Sequence, residues 1–373
     1  MRRKKNFKLS LFIGTLLLLI SSYNLSANQL PGDTLTKETV KKEMKLVADW
    51  QIAHKFTYPE YDWTAGALFA GMAEWAKIAG DESYWTYLKG VGNRLNWGHG
   101  PRLYHADDAC IGQLYTELYR KYGKQFMIQP TLSKFTYITD YPSNSTLEFT
   151  QKTASDRWAW CDAIFMGPTV WAKMYNITKD KRYSTFLDQE FKATTDYLYD
   201  KNEHLYYRDS RYFTQTEKNG KKIFWGRGNG WVIAGVSIIL TELPKDYQNR
   251  KMYEKVYLEM AEKITSLQGP DGYWHASLLD PDSYPTPETS ASGFYCYGLA
   301  WGINNGYLSK EKYLPIVNKA WVALLHSVDP DGKLCYVQPI GGDPQKVTRD
   351  MTEIYGVGAF LLAGSEMVKL LEK

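Results

Sequence analysis

The chain has 373 residues and a formal charge of +4, with 45 Lys and Arg against 41 Asp and Glu. The surplus lies in Arg2, Arg3, Lys4, Lys5 and Lys8; without them 40 basic residues face 41 acidic ones. A near-neutral remainder of this size excludes a basic nucleic-acid binder and leaves room for one large globular domain.

The five early cations precede an apolar run over residues 9–20, too short for a stable membrane anchor, and Leu25-Ser26-Ala27 ends in small residues suited to cleavage. Residues 1–27 therefore read as a secretory signal. The protein is expected to be exported, periplasmic or secreted, with no membrane partner once the signal is gone. No Pro- or Ser-rich linker, low-complexity tract or charge block divides residues 28–373, which read as a single domain. The sequence carries no signal for an oligomeric state.

Helix, turn and helix then recur. Residues 64–79 are apolar at helical spacing, break at Gly80-Asp81 and resume over 83–95. Residues 109–122 break at Gly123-Lys124 and resume towards Phe135, and 165–175 are followed by 183–198. The form returns at 231–243 with 250–267 and at 291–301 with 310–326, and a last helix covers 353–371. Leading helices are small and apolar, as at Ala67, Ala70 and Gly71, and their followers carry more charge. Six such pairs closed on themselves predict an all-α fold, an (α/α)6 barrel or toroid with inner and outer rings. Strand-like segments at 205–208, 273–277 and 334–338 are expected at one end, walling a cleft; the last two follow Pro-Asp-Gly turns.

Hydrophobic residues make up 44% of the chain, and 13 Trp with 29 Tyr are many. Their flat rings stack on the C–H faces of sugars, although they also fill helical cores. Cys110, Cys161, Cys296 and Cys335 show no close spacing, so buried free thiols are expected. The six histidines form no HxxxH or HExxH set, so neither metal nor cofactor is expected.

Three stretches put polar groups at the starts of inner helices. In His105-Ala106-Asp107-Asp108 the carboxylates either stabilise the positive end of the next helix or belong to a site. In residues 157–174, RWAWCDAIFMGPTVWAKM, Asp162 stands among Trp158, Trp160, Phe165 and Met166. Loss of hydration there raises a carboxyl pKa and suits a proton donor near neutral pH. The plainer alternative is an aspartate that only caps the helix into which Pro168 leads. In Trp225-Gly-Arg-Gly-Asn-Gly-Trp231 the glycines argue against a helix interior and for close approach of a ligand. Arg227 offers a planar fork for a carboxylate and Trp231 a stacking face. No strand–helix–strand unit surrounds this run, so it makes no nucleotide site.

The Trp160-Cys161-Asp162 motif and the RGNGW motif, on a chain of this repeat pattern, resemble glycoside hydrolase family 105, with family 88 as a more distant relative. The resemblance runs over residues 45–370. It implies the same barrel and a substrate left by polysaccharide lyases, an oligosaccharide ending in a 4,5-unsaturated uronate. It implies Asp162 as general acid/base and Asp107 or Asp108, with a lean to Asp107, as the second carboxylate. Arg227, Asn229 and Trp231 of RGNGW, with Trp160 and His105, would bind the uronyl ring. Rhamnogalacturonyl members tend to carry a histidine where this chain has Tyr206-Tyr-Arg208-Asp209. Arg208 therefore favours a glucuronyl substrate, or one with another anion such as sulfate, of ulvan or rhamnogalacturonan type. The competing readings are a polysaccharide lyase or inverting glycosidase on the same toroid, and a carbohydrate-binding protein without turnover.

Overall fold

The computed structural model describes residues 35–372; the signal read over residues 1–27 lies outside them. In chain order the first helices are α1 (Lys37–Ala53), α2 (Trp63–Ile78), α3 (Glu82–Arg94), α4 (Gly112–Tyr122) and α5 (Gln129–Asp140). A short turn α6 (Ala163–Met166) runs into α7 (Pro168–Thr178), followed by α8 (Lys181–Leu198) and α9 (Gly226–Glu242). The chain closes with α10 (Arg250–Thr265), α11 (Thr289–Asn304), α12 (Lys310–His326) and α13 (Ile354–Leu371).

Helices α2, α4, α6–α7, α9, α11 and α13 form the inner ring and the rest surround them. The inner helices hold the predicted small residues because their backbones touch. A Cβ on Gly71 of α2 would overlap the backbone of Gly358 in α13, and one on Gly235 of α9 would lie 2.7 Å from the Ile164 carbonyl oxygen of α6. Between them, Gly293 of α11 meets Ala359 of α13, and Gly298 of α11 meets Ile233 of α9. Gly112 of α4 meets Val170 of α7, and Gly66 of α2 meets Cys110, which closes the circle. Helix α13 is apolar enough to cross a membrane, yet 89% of it is buried inside the ring. It is a core helix.

Two expectations are corrected. The last inner helix has an outer partner that the repeat did not supply: α1, whose Met44 packs against Gly364 of α13. Its buried residues Val40, Met44, Val47, Ala48 and Gln51 follow helical spacing. The ring is thus joined across the two ends of the described chain. The strands are also shorter than expected. Among the described residues only β1 (Tyr199–Asp200) and β2 (Leu205–Tyr206) pair, antiparallel, and the 273–277 and 334–338 segments hold isolated bridges, Ser277 with Trp225 and Leu334 with Val328. Their backbone groups bond elsewhere: Trp274 N–H to Ser292 Oγ at 2.9 Å, Gln338 N–H to Glu288 Oε1 at 3.0 Å. Side chains at the head of α11 satisfy the groups a ladder would have used. All four cysteines are buried and free.

Candidate active site

The inner helices run parallel, so their six N-termini meet at one mouth and their positive dipole ends converge there. Acidic residues gather at that end, and their partners separate them. Asp62 caps α2 through Thr64 N–H at 2.9 Å, and Glu288 caps α11 through Ala291 N–H at 2.7 Å. Glu353 receives the Tyr58 hydroxyl at 3.0 Å. Asp108 is held by Arg102, with the backbone N–H at 2.6 Å and Nη2 at 2.5 Å. Burial would raise its pKa, but these bonds outweigh burial and hold it below the usual carboxylate range.

Asp107 and Asp162 have no such partners. Asp162 stands at the start of α6 yet its side chain caps nothing, so the capping alternative fails. Its Oδ1 accepts only the weak Cys161 thiol, at 3.3 Å, with Arg208 Nε 3.8 Å away. Desolvation raises its pKa, against the pull of the Arg208 guanidinium. Asp107 is pushed up to about 7, by desolvation first and then by the negative charge of Asp162. The side chains of Asp162 and Asp107 keep 11% and 18% of their surface exposed, enough to meet a ligand and too little for full hydration. Shielding and the neighbouring negative charge both favour the protonated form of Asp107, and shielding favours that of Asp162.

His105 borders this pair. Its Nδ1 accepts the Asp107 backbone N–H at 3.3 Å, which puts the proton of the neutral ring on Nε2. Burial lowers its pKa to about 4, so its approach to the Asp107 carboxyl at 3.7 Å is not an ion pair at neutral pH. Trp160 covers it, ring centres 4.8 Å apart. Arg208 completes the group. Its Nη1 donates to Asp209 at 2.7 Å, its guanidinium lies 4.8 Å from the Phe149 ring centre, and its buried Nε has no partner.

The RGNGW residues lie near this group and are fully buried. The glycines are helical, forming the first turn of α9. They are small because neighbours press in: a Cβ on Gly228 would lie 3.2 Å from Cys161 Sγ, and Gly226 abuts the His275 carbonyl. Arg227 is fully buried, and its fork donates to the Gln338 and Pro339 carbonyls at 2.5 and 2.8 Å. Its buried Nε has no hydrogen-bond partner, and its positive charge acts on Asp162. Asn229, also fully buried, accepts Tyr206 N–H at 2.8 Å and donates to Tyr206 O at 3.0 Å. Trp231 packs between Phe165 and Phe294, ring centres 4.9 and 4.3 Å away, as floor.

These residues act through the chain. Asn229 fixes β2, and β2 leads into Arg208. The Arg208 carbonyl then accepts Cys161 N–H at 2.8 Å, beside the Trp160–Asp209 bridge, which fixes Asp162. Sequence reasoning missed Phe149, Asp209 and Arg211. Only the Arg-Asp-x-Arg spacing of 208–211 could have flagged the last two.

A cavity of about 500 Å³ lies at the opposite mouth among Glu74, Lys77, Glu117, Arg120, Lys173 and Glu242. The charges there pair with one another, so it offers no reactive group.

The comparisons set this toroid among carbohydrate-active enzymes. The model of Glycosyl Hydrolase Family 88 matches residues 35–371, and the chain belongs to that family. The resemblance had put family 105 first; a solved member of that family shares the fold. An unsaturated 3S-rhamnoglycuronyl hydrolase of Formosa agariphila is 39% identical over 350 residues, covering 91% of this chain and 93% of the relative. A family 88 structure from Bacteroides vulgatus is 32% identical with a TM-score of 0.83, covering 90% of this chain and 100% of that one. A structure described as a polysaccharide lyase is also 32% identical with a TM-score of 0.83, covering 90% and 98%.

Proposed function

We propose that this enzyme removes a 4,5-unsaturated uronate from the non-reducing end of lyase-generated oligosaccharides, by hydrating the C4=C5 enol ether. The observation that carries this reading is Asp162, a shielded carboxyl at a helix start that caps nothing and whose pKa is raised. Protonated Asp162 delivers its proton to C4. Positive charge develops at C5 and the ring oxygen, and the resulting carboxylate takes a proton from a water that adds at C5. The hemiketal then opens and releases the aglycone. Proton transfer of this kind typically contributes about 10²–10⁴-fold.

Asp107 is the second carboxyl, favoured in its protonated form beside Asp162. Arg208, with an unpartnered Nε beside Asp162, receives the uronate carboxylate, and His105 offers Nε2–H to a ring hydroxyl. Arg208 in place of a histidine favours a glucuronyl over a galacturonyl unit, and the rhamnoglycuronyl relative supports rhamnose as the neighbour. The basic, apolar N-terminal stretch supports action outside the cytoplasm.

Lyase products supply the test, because the conjugated enol ether absorbs in the ultraviolet. That absorbance is expected to disappear. The similarity to a structure described as a lyase keeps one second reading, under which absorbance would grow on intact polysaccharide. Binding without either change would leave a carbohydrate-binding protein.

A further inference from the structure

Beyond Arg208 the chain continues Asp209-Ser210-Arg211, and this short segment places a second guanidinium outward of the first. Asp209 is fully buried and serves both cations: Arg208 Nη1 donates at 2.7 Å, and Arg211 Nε and Nη2 donate at 2.9 Å each. Both guanidiniums lie over the ring of Phe149, 4.8 and 4.5 Å from its centre. One carboxylate is therefore shared by two fixed cations, and of the two Arg208 also lies beside Asp162. Side-chain exposure rises along the row, from 11% at Asp162 through 16% at Arg208 to 43% at Arg211. The row leads from the proton donor outwards to solvent.

The geometry points to Arg211 as a specificity-determining residue that reads an anionic ester, a sulfate, on the sugar next to the uronate. This inference rests on the hydrolase reading above. Arg208, against Asp162, meets the uronate itself; Arg211, further out, meets the next unit. A rhamnose there has no carboxyl group, so an anion on it must be an ester. Arg211 gives Nε and Nη2 to Asp209, which leaves Nη1 for a ligand and holds the fork rigid. Little side-chain entropy remains to be lost when the anion binds.

Two unsaturated lyase products that differ only in sulfate on the second sugar, one of them desulfated, test this by loss of alkene absorbance. Arg211→Gln is expected to lower kcat/KM on the sulfated product about 10- to 100-fold, through KM, and on the desulfated one less than about 3-fold. Arg211→Lys keeps a charge opposite Asp209, so its melting transition should match wild type while KM for the sulfated product still rises. Equal losses on both products, or no loss with either variant, would overturn the assignment. If wild type leaves the absorbance of both products unchanged, the hydrolase reading itself fails and Arg211 falls with it.

Discussion

The two mouths of the toroid hold similar groups and treat them in opposite ways. At the N-terminal mouth Asp107 and Asp162 are shielded, poorly bonded and raised in pKa. At the C-terminal mouth Glu117 and Glu242 are as deeply buried but saturated. Lys173 reaches both, Arg120 donates to Glu117 at 2.9 Å and to Glu242 at 2.5 Å, and Lys77 adds a bond to Glu117 at 2.9 Å. Burial would raise these glutamates, yet the cations win, taking Glu242 down to about 2 and Glu117 further. Burial alone therefore decides nothing; the number of cations brought to a carboxylate does. One mouth is built to hold the ring shut and the other to keep a proton available.

The largest contrast is in turnover. Asp162→Asn should lower kcat by on the order of 10²–10⁴-fold while binding and melting temperature persist, which initial rates and calorimetry would read. Lys173→Met should do the reverse. Removing one partner of a buried ion network leaves uncompensated charge and costs about 3–5 kcal/mol, seen as a lower denaturant midpoint with kcat unchanged. If Lys173→Met abolished turnover in the folded protein, the division of labour between the mouths would be wrong.

The mouths also respond to pH with opposite signs. An unfolded aspartate titrates near 3.9, and the folded Asp107 near 7, so the folded chain holds a proton that the unfolded chain releases. That contribution to stability is full below about pH 4 and is lost as pH rises through about 7. The lowered glutamates contribute above their unfolded pKa and lose the contribution as pH falls. Asp107→Asn should therefore raise the melting temperature relative to wild type at pH 8 and much less at pH 5. Wild-type kcat should fall as pH rises, when the raised Asp162 carboxyl gives up its proton. A smaller effect is expected from Asn229→Ala, which leaves the Tyr206 N–H and carbonyl unpaired and costs about 1–3 kcal/mol. Its activity loss should be similar for every uronate tested, because Asn229 acts through the backbone of β2.

The contrast also marks what the sequence could show. Inner helices were legible because Ala and Gly recur where backbones must touch, and the site's depth was legible in Trp160-Cys161-Asp162. The outer partner α1 went unread because its apolar positions are widely spaced among lysines and no turn pairs it with a following helix; its partner stands at the far end of the chain. RGNGW was legible only in part. Its spacing shows that Arg227 and Trp231 belong near the site, but not that backbone carbonyls fill the arginine's fork, which only three-dimensional packing decides. Asp107 and Asp108 are indistinguishable as letters and become distinct only when Arg102 folds back onto one of them.

The most direct test of the central claim, that Asp162 delivers a proton to C4 of the alkene, is proton NMR of the reaction run in heavy water and sampled early. A single deuteron is expected on one face of C4 in the released uronate with wild type, and none with Asp162→Asn. Aglycone released with C4 carrying no deuterium, or undiminished incorporation by the variant, would contradict it.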